Sequence, residues 1–159
     1  KLSTFATGTF ECDGKEWNSV EHYYQANKFI NSNDSNGFYD QFSLDSGTEL
    51  SQNPILAKAA ASKKGKYKGR QIRPSDVAID MASTNERRKK SREQAMKCKF
   101  SQIPEYKELL MATRDAKLVQ FVRAHPPIVL RDLMTVRQEI LRENKQPETP
   151  TITISETLT

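Results

Sequence analysis

Glu21, Tyr24 and Lys28 are the residues of this chain whose types and spacing most readily do chemistry. In W-N-S-V-E-H-Y-Y-Q-A-N-K-F, residues 17–29, steps of three, four and seven bring Trp17, Val20, Glu21, Tyr24 and Lys28 to one side of a helix. A carboxylate, a phenol and an ammonium then share a stripe that begins at an apolar anchor. Such a stripe suits the floor of a ligand pocket, with Trp17 and Tyr24 as aromatic contacts. Each residue also has a plainer use. Glu21 stands three residues after Asn18, so it can close a capping box; Tyr23 and Tyr24 can serve a core, and Lys28 an ion pair.

Two basic segments add candidates. G-K-Y-K-G-R-Q-I-R-P, residues 65–74, is either a solvated connection or an anion-contacting loop, with Arg70 and Arg73 as its contacts. R-R-K-K-S-R places Arg87, Arg88, Lys89, Lys90 and Arg92 on a half-helix without an apolar residue. That run is either a solvated helix end or a patch for nucleic acid, nuclear import or a protein partner.

The elements that must position these groups follow from local signals. Asn18 or Ser19 caps a helix over residues 20–29. Ahead of it, alternation around Phe5 and Phe10 with a D-G turn at Asp13 and Gly14 predicts a short hairpin. Residues 31–49 are rich in turn formers but carry Phe38, Tyr39, Phe42 and Leu44, which predicts a surface excursion pinned by its apolar side chains. Asn53 and Pro54 start a helix that ends at Gly65. Further helices are predicted over residues 85–100, from Pro104 through Leu110, over residues 116–121, and from Ile128 to about Glu143. The last has Val129, Leu133, Val136 and Ile140 on one stripe. H-P-P at 125–127 separates the final two.

Composition narrows the class. The 159 residues suit one domain over residues 1–143. The Thr- and Pro-rich residues 144–159 form a tail that is either disordered or an edge strand against a partner. Net charge is +5, with a pI near 9.2 and mean hydropathy of −0.74, which favours anionic partners. No apolar run approaches a membrane span, and no secretory leader opens the chain. It begins at Lys1, which reads as a piece of a longer polypeptide. Cys12 and Cys98 are too few for a disulfide framework, so reduced thiols and an intracellular setting, cytoplasmic or nuclear, are expected. His22 and His125 lack metal-ligand spacing, so neither a metal nor a cofactor is expected.

Several stretches carry a resemblance. L-S-T-F, the W-N-S-V-E-H-Y-Y-Q-A-N-K-F element, K-C-K-F-S-Q, L-L-M-A-T-R-D-A-K-L-V and D-L-M-T-V-R-Q-E-I-L resemble, in order, the landmarks of the NADAR (YbiA-like) domain family. The resemblance implies a mainly α, single compact helical domain with a small N-terminal β-hairpin. It also implies N-glycosidase activity on ribosyl–nitrogen bonds, in phosphorylated intermediates of riboflavin synthesis or in ADP-ribosylated guanine bases. Carried over by residue, it assigns catalytic roles to Glu21 and Asp115 and substrate contacts to Lys28, Lys99 and Gln102. Cleavage of such a bond passes through an oxocarbenium-like state. Glu21 would orient water or stabilise that cation, while Lys28, Arg70 and Arg73 hold phosphate.

The departures are equally specific. R-P-S-D-V-A lacks the family's tryptophan, and Q-F-V-R-A-H-P-P-I-V-L-R-D-L-M replaces a Trp- and Gly-rich loop and an N-x-L-G element. Pro127 and Leu130 stand near the expected asparagine and glycine, Arg114 where T-G-D has glycine, and Gln120 where L-V-E has glutamate. With Trp17 the single tryptophan, stacking on a base must rely on tyrosine or phenylalanine. These changes leave an alternative: a catalytically impaired member that serves as a protein- or nucleic-acid-binding module through the basic half-helix or the tail.

Overall fold

The structure, a computed structural model, describes residues 1–31 and 37–145. The expected tail beyond residue 145, with its T-I-T-I strand, lies outside the described residues. Seven α-helices and three separate two-stranded hairpins form the described chain, so the domain is mainly α. None of these helices is long and apolar enough to cross a membrane.

The first hairpin pairs β1 (Phe10–Cys12) with β2 (Lys15–Trp17) in antiparallel register, Phe10 opposite Trp17. Asp13 and Gly14 take positive φ values of 53° and 73°, the backbone that a two-residue hairpin turn requires. Phe10, Cys12 and Trp17 face inward, and the Trp17 indole donates to the Cys12 carbonyl at 2.9 Å. The Cys12 and Cys98 sulfurs are bonded as a disulfide with Cα atoms 5.9 Å apart, so the expectation of reduced thiols is corrected. Sequence could not anticipate this pairing, because packing β1 on α5 (Asn85–Gln102) is what joins positions 86 residues apart.

Helix α1 (Val20–Ala26) is the centre of the molecule. It packs against α4 (Pro54–Ala60) and α5, and six of its seven residues are buried. A helix enclosed on this many sides cannot solvate its polar residues, so Glu21, His22 and Gln25 must find partners inside. Ser19 is the N-cap, its Oγ accepting from the His22 backbone N–H at 3.3 Å. The predicted helix over residues 20–29 is regular only to Ala26 and closes with a 3₁₀ turn, Asn27–Phe29.

His22 is fully buried and bonded at both ring nitrogens, to the Leu50 carbonyl at 2.8 Å and to Ser19 Oγ at 2.7 Å. A carbonyl can only accept, so Nε2 carries the proton and Nδ1 accepts from the serine hydroxyl. Burial lowers the imidazole from 6.5 to about 4, so the folded chain binds fewer protons than the unfolded one between those values. The stability held by neutral His22 is complete above pH 6.5 and is lost as pH falls through about 4. The gap amounts to roughly 3 kcal/mol. Chemical denaturation from pH 7 to 4 should therefore show a steeper acid loss for the native chain than for His22→Gln. Equal slopes would contradict the burial argument.

Around α1, the segment 37–52 forms α2 (Phe38–Gln41), a 3₁₀ turn (Leu44–Ser46) and α3 (Glu49–Gln52). Its pinning side chains behave as expected: Phe38 and Phe42 meet Phe29 in a cluster with centroids 5.0–5.7 Å apart. Helix α4 stops at Ala60 rather than reaching Gly65, because Arg73 donates to the carbonyls of Ala60, Ser62 and Lys63 and turns the chain there. The hairpin β3 (Lys66–Tyr67) and β4 (Arg70–Gln71) follows.

Helix α5 is capped by Thr84, and its buried residues Ser91, Ala95, Met96, Lys99 and Phe100 make one stripe. After α6 (Pro104–Ala112), the helix predicted over residues 116–121 does not form. Val119–Gln120 is instead strand β5, paired with β6 (Ile128–Val129). Two causes are visible. Buried Arg137 engages Thr113 Oγ1 and the Ala116 carbonyl, which takes that carbonyl from any helical ladder. The β-branched Val119, Ile128 and Val129 favour the extended pair. Residues 128 and 129 are thereby removed from the last helix, α7 (Arg131–Lys145), which packs on α5 through Leu133, Val136 and Ile140.

Candidate active site

A cleft of about 790 Å³ opens along α1. Such a volume suits a nucleotide-sized ligand. Glu21, Tyr24, Gln25 and Lys28 form its floor, one helical face as the spacing requires. The N-terminal segment 2–5 closes one side. Arg92 and Met96 of α5, the β5–β6 hairpin and the start of α7 close the rest.

Glu21 is 6% exposed, and both of its carboxylate oxygens are held. Oε1 accepts from Gln25 Nε2 at 2.6 Å, and Oε2 accepts from Thr4 Oγ1 at 3.1 Å. The backbone repeats the tie, since the Glu21 N–H donates to the Thr4 carbonyl at 3.0 Å. Because the N-cap is Ser19, Glu21 does not close a capping box. Gln25 leaves its own Oε1 buried without a hydrogen-bond partner, the sole such side-chain atom among the described residues. This orientation is the better of two: a flipped amide would set oxygen against the carboxylate.

Cations surround this carboxylate without bonding it. Lys28 Nζ and the Arg92 guanidinium both lie over the Tyr24 ring, at 5.0 and 4.3 Å from its centroid. Burial, then the charges of Arg88 and Arg92, hold the Lys28 ammonium below the ordinary lysine range, with Glu21 opposing. Arg92 is also anchored to Asp132 Oδ2 at 3.3 Å. Lys58 and Arg131 complete the basic lining.

The other candidates lie elsewhere. Trp17 has no exposed surface and serves the core. Lys99 is equally buried, donates to the Ala6 carbonyl and sits 4.8 Å from the Tyr106 centroid; burial lowers its ammonium to about 8. Its contact fixes the N-terminal segment whose turn carries Thr4 to Glu21, so it stands behind the cleft rather than in it. Gln102 bonds the backbone of Glu11 on β1. Arg70 pairs with Glu49 on the surface, and Arg73 caps α4. Asp115 is exposed in the turn after α6, outside the cleft lining. On the basic half-helix, Arg87 meets Asp80, Lys89 meets Glu93 and Lys90 meets Glu86, while Arg88 donates to Ser83. Only Arg92 of that run lines the cleft.

Sequence reasoning missed Thr4, Lys58 and the hairpin residues. Gln25 could have been found, four residues after Glu21 on the same face. Nothing local marks Thr4 or Asp132, which reach the site from 17 and 40 positions away from their partners.

On this helical fold, the chain belongs to the NADAR domain family, whose model matches residues 1–124. Among individual proteins, it is similar to the N-glycosidase YbiA of Escherichia coli (strain K12), with 27% identity over 119 residues, 75% of this chain and 61% of that protein. The N-glycosidase YbiA of Shigella boydii matches with the same identity and coverage. This match thus spans about 61% of the relatives' length. The NMR structure of the E. coli protein YbiA shares the fold at a TM-score of 0.61 and 23% identity, covering 92% of this chain and 82% of that one.

Proposed function

We propose that this domain hydrolyses a ribosyl–nitrogen bond in a phosphorylated or ADP-ribosylated nucleotide-like substrate. The observation that carries the reading is the Glu21 carboxylate, held from two sides by Thr4 and Gln25 on the floor of an open cleft lined by cations. The N-glycosidase name of its relatives supports the same chemistry.

In this reading Glu21 faces the sugar. As the C1′–N bond lengthens, positive charge grows on the ribose ring, and a fixed carboxylate stabilises it more than it stabilises the neutral ground state. Glu21 also accepts the proton of the water that attacks C1′; the base departs with the bond's electron pair and takes up a proton from solvent, and Glu21 returns its own to solvent, so one water is consumed. Lys28 and Arg92 hold the phosphate, and Tyr24 keeps the two cations in place by their contact with its ring. Arg70, Arg73, Gln102 and Asp115 have no direct part.

Lys28→Met should raise KM for a phosphorylated N-ribosyl substrate roughly ten- to a hundred-fold, with a smaller change in kcat, because a charge-assisted bond made in both ground and transition states is lost. The measurement is base release against substrate concentration by a folded preparation. Failure to turn over either a phosphorylated N-ribosyl compound or an ADP-ribosylated base defeats the proposal. Binding without turnover would instead favour the binding-module alternative, for which the basic half-helix offers few unpaired charges.

A further inference from the structure

Three aromatic rings line the cleft, and two of them are engaged. Tyr24 carries Lys28 and Arg92 over its ring, and Phe5 carries Lys58 at 5.6 Å from its centroid. The third, Phe121, follows directly on β5 and is 80% exposed, with no ring or cation partner among the described residues. A benzyl group left in water is unfavourable in itself, and the partly exposed Val119 and Ile128 line the same cleft.

The charged groups around Glu21 and the exposed apolar side chains of the β5–β6 hairpin sit on different elements of the cleft. Helix α1, its closing 3₁₀ turn and α5 supply Glu21, Lys28 and Arg92; the hairpin and its flanks supply Leu118, Val119, Phe121 and Ile128. The hairpin is also anchored, since the Leu130 N–H donates to the Leu118 carbonyl at 2.9 Å and the Leu118 N–H reaches Met134 Sδ at 3.5 Å. A ligand that sets its phosphate against Lys28 and its sugar over Glu21 has a flat base still to place, and Phe121 offers the aromatic face in the cleft that no cation covers among the described residues.

We propose that Phe121 is the platform on which the leaving base of the ligand stacks, making it a specificity residue for a nucleobase-bearing substrate. The inference rests on the nucleotide-like reading for the class of ligand, and its test is one of binding rather than turnover. Guanosine 5′-monophosphate and ribose 5-phosphate serve as probes, the second lacking the base. By calorimetry, Phe121→Ala should weaken the nucleotide between about 5- and 150-fold, the range of base–aromatic stacking, and leave ribose 5-phosphate unchanged. Because the side chain is mostly in water, the variant should fold as the native chain does. Phe121→Trp adds a reporter, since the native chain has a single, buried tryptophan. The new indole should be quenched by the nucleotide and not by the sugar phosphate.

Unchanged nucleotide affinity in Phe121→Ala, or an equal loss for both probes, overturns the proposal. A native chain that binds neither probe overturns it together with the nucleotide-like reading. If the base stacks as described while no N-ribosyl substrate is hydrolysed, the catalytic reading falls alone.

Discussion

Glu21→Gln should leave substrate affinity and folding in place and slow the release of free base by about 10²- to 10⁴-fold, the usual contribution of a positioned acid–base group. The structure makes this substitution unusually clean. Thr4 Oγ1 can donate to a carboxamide oxygen as it does to the carboxylate. The new amide nitrogen would meet Gln25, whose Oε1 has no partner in the native chain, and a flip of that amide turns a repulsive contact into a hydrogen bond. Loss of activity with an unchanged Tm then isolates the charge. A variant that still turns over at the native rate removes Glu21 from the mechanism. A variant that loses its cooperative melt shows that the carboxylate is structural.

Trp17→Ala should have the largest effect on stability. The side chain is wholly buried, meets Tyr23 and Tyr39 edge-on at 5.2 and 5.9 Å, and donates to the Cys12 carbonyl. Truncation loses that packing and the indole hydrogen bond, at a cost of roughly 3–5 kcal/mol. For a domain of this size that lowers Tm by on the order of 10 °C. A ligand-contacting tryptophan behaves in the opposite way, raising KM with little change in melting. Thermal unfolding beside a KM measurement separates the two roles, and an unchanged Tm with a weakened KM would return Trp17 to the cleft.

The contrast between Trp17 and Tyr24 shows where sequence reading reached its limit. Both lie on the stripe that helical spacing defines, and both have the chemistry of a ligand contact. The hairpin β1–β2 turns Trp17 into the core before α1 begins, and that geometry is invisible in a helical projection. Lys99 and Gln102 repeat the lesson. Each has a binding-competent side chain, yet one is buried behind the segment it fixes and the other is bonded to the backbone of β1.

By itself the sequence determined the family's helix motif, its N-cap at one of two neighbouring residues, the helices beginning at Pro54, Asn85 and Pro104, and the amphipathic stripe of α7. These depend on periodicity and capping, which act over a few residues. Only the tertiary structure decided that residues 116–121 are not a helix, because Arg137, far along the chain, draws their backbone away. It alone brought Thr4 and the β5–β6 hairpin around Glu21. It also joined Cys12 to Cys98 across 86 positions. Such contacts form when elements pack, and no local pattern records which residues the packing will bring face to face.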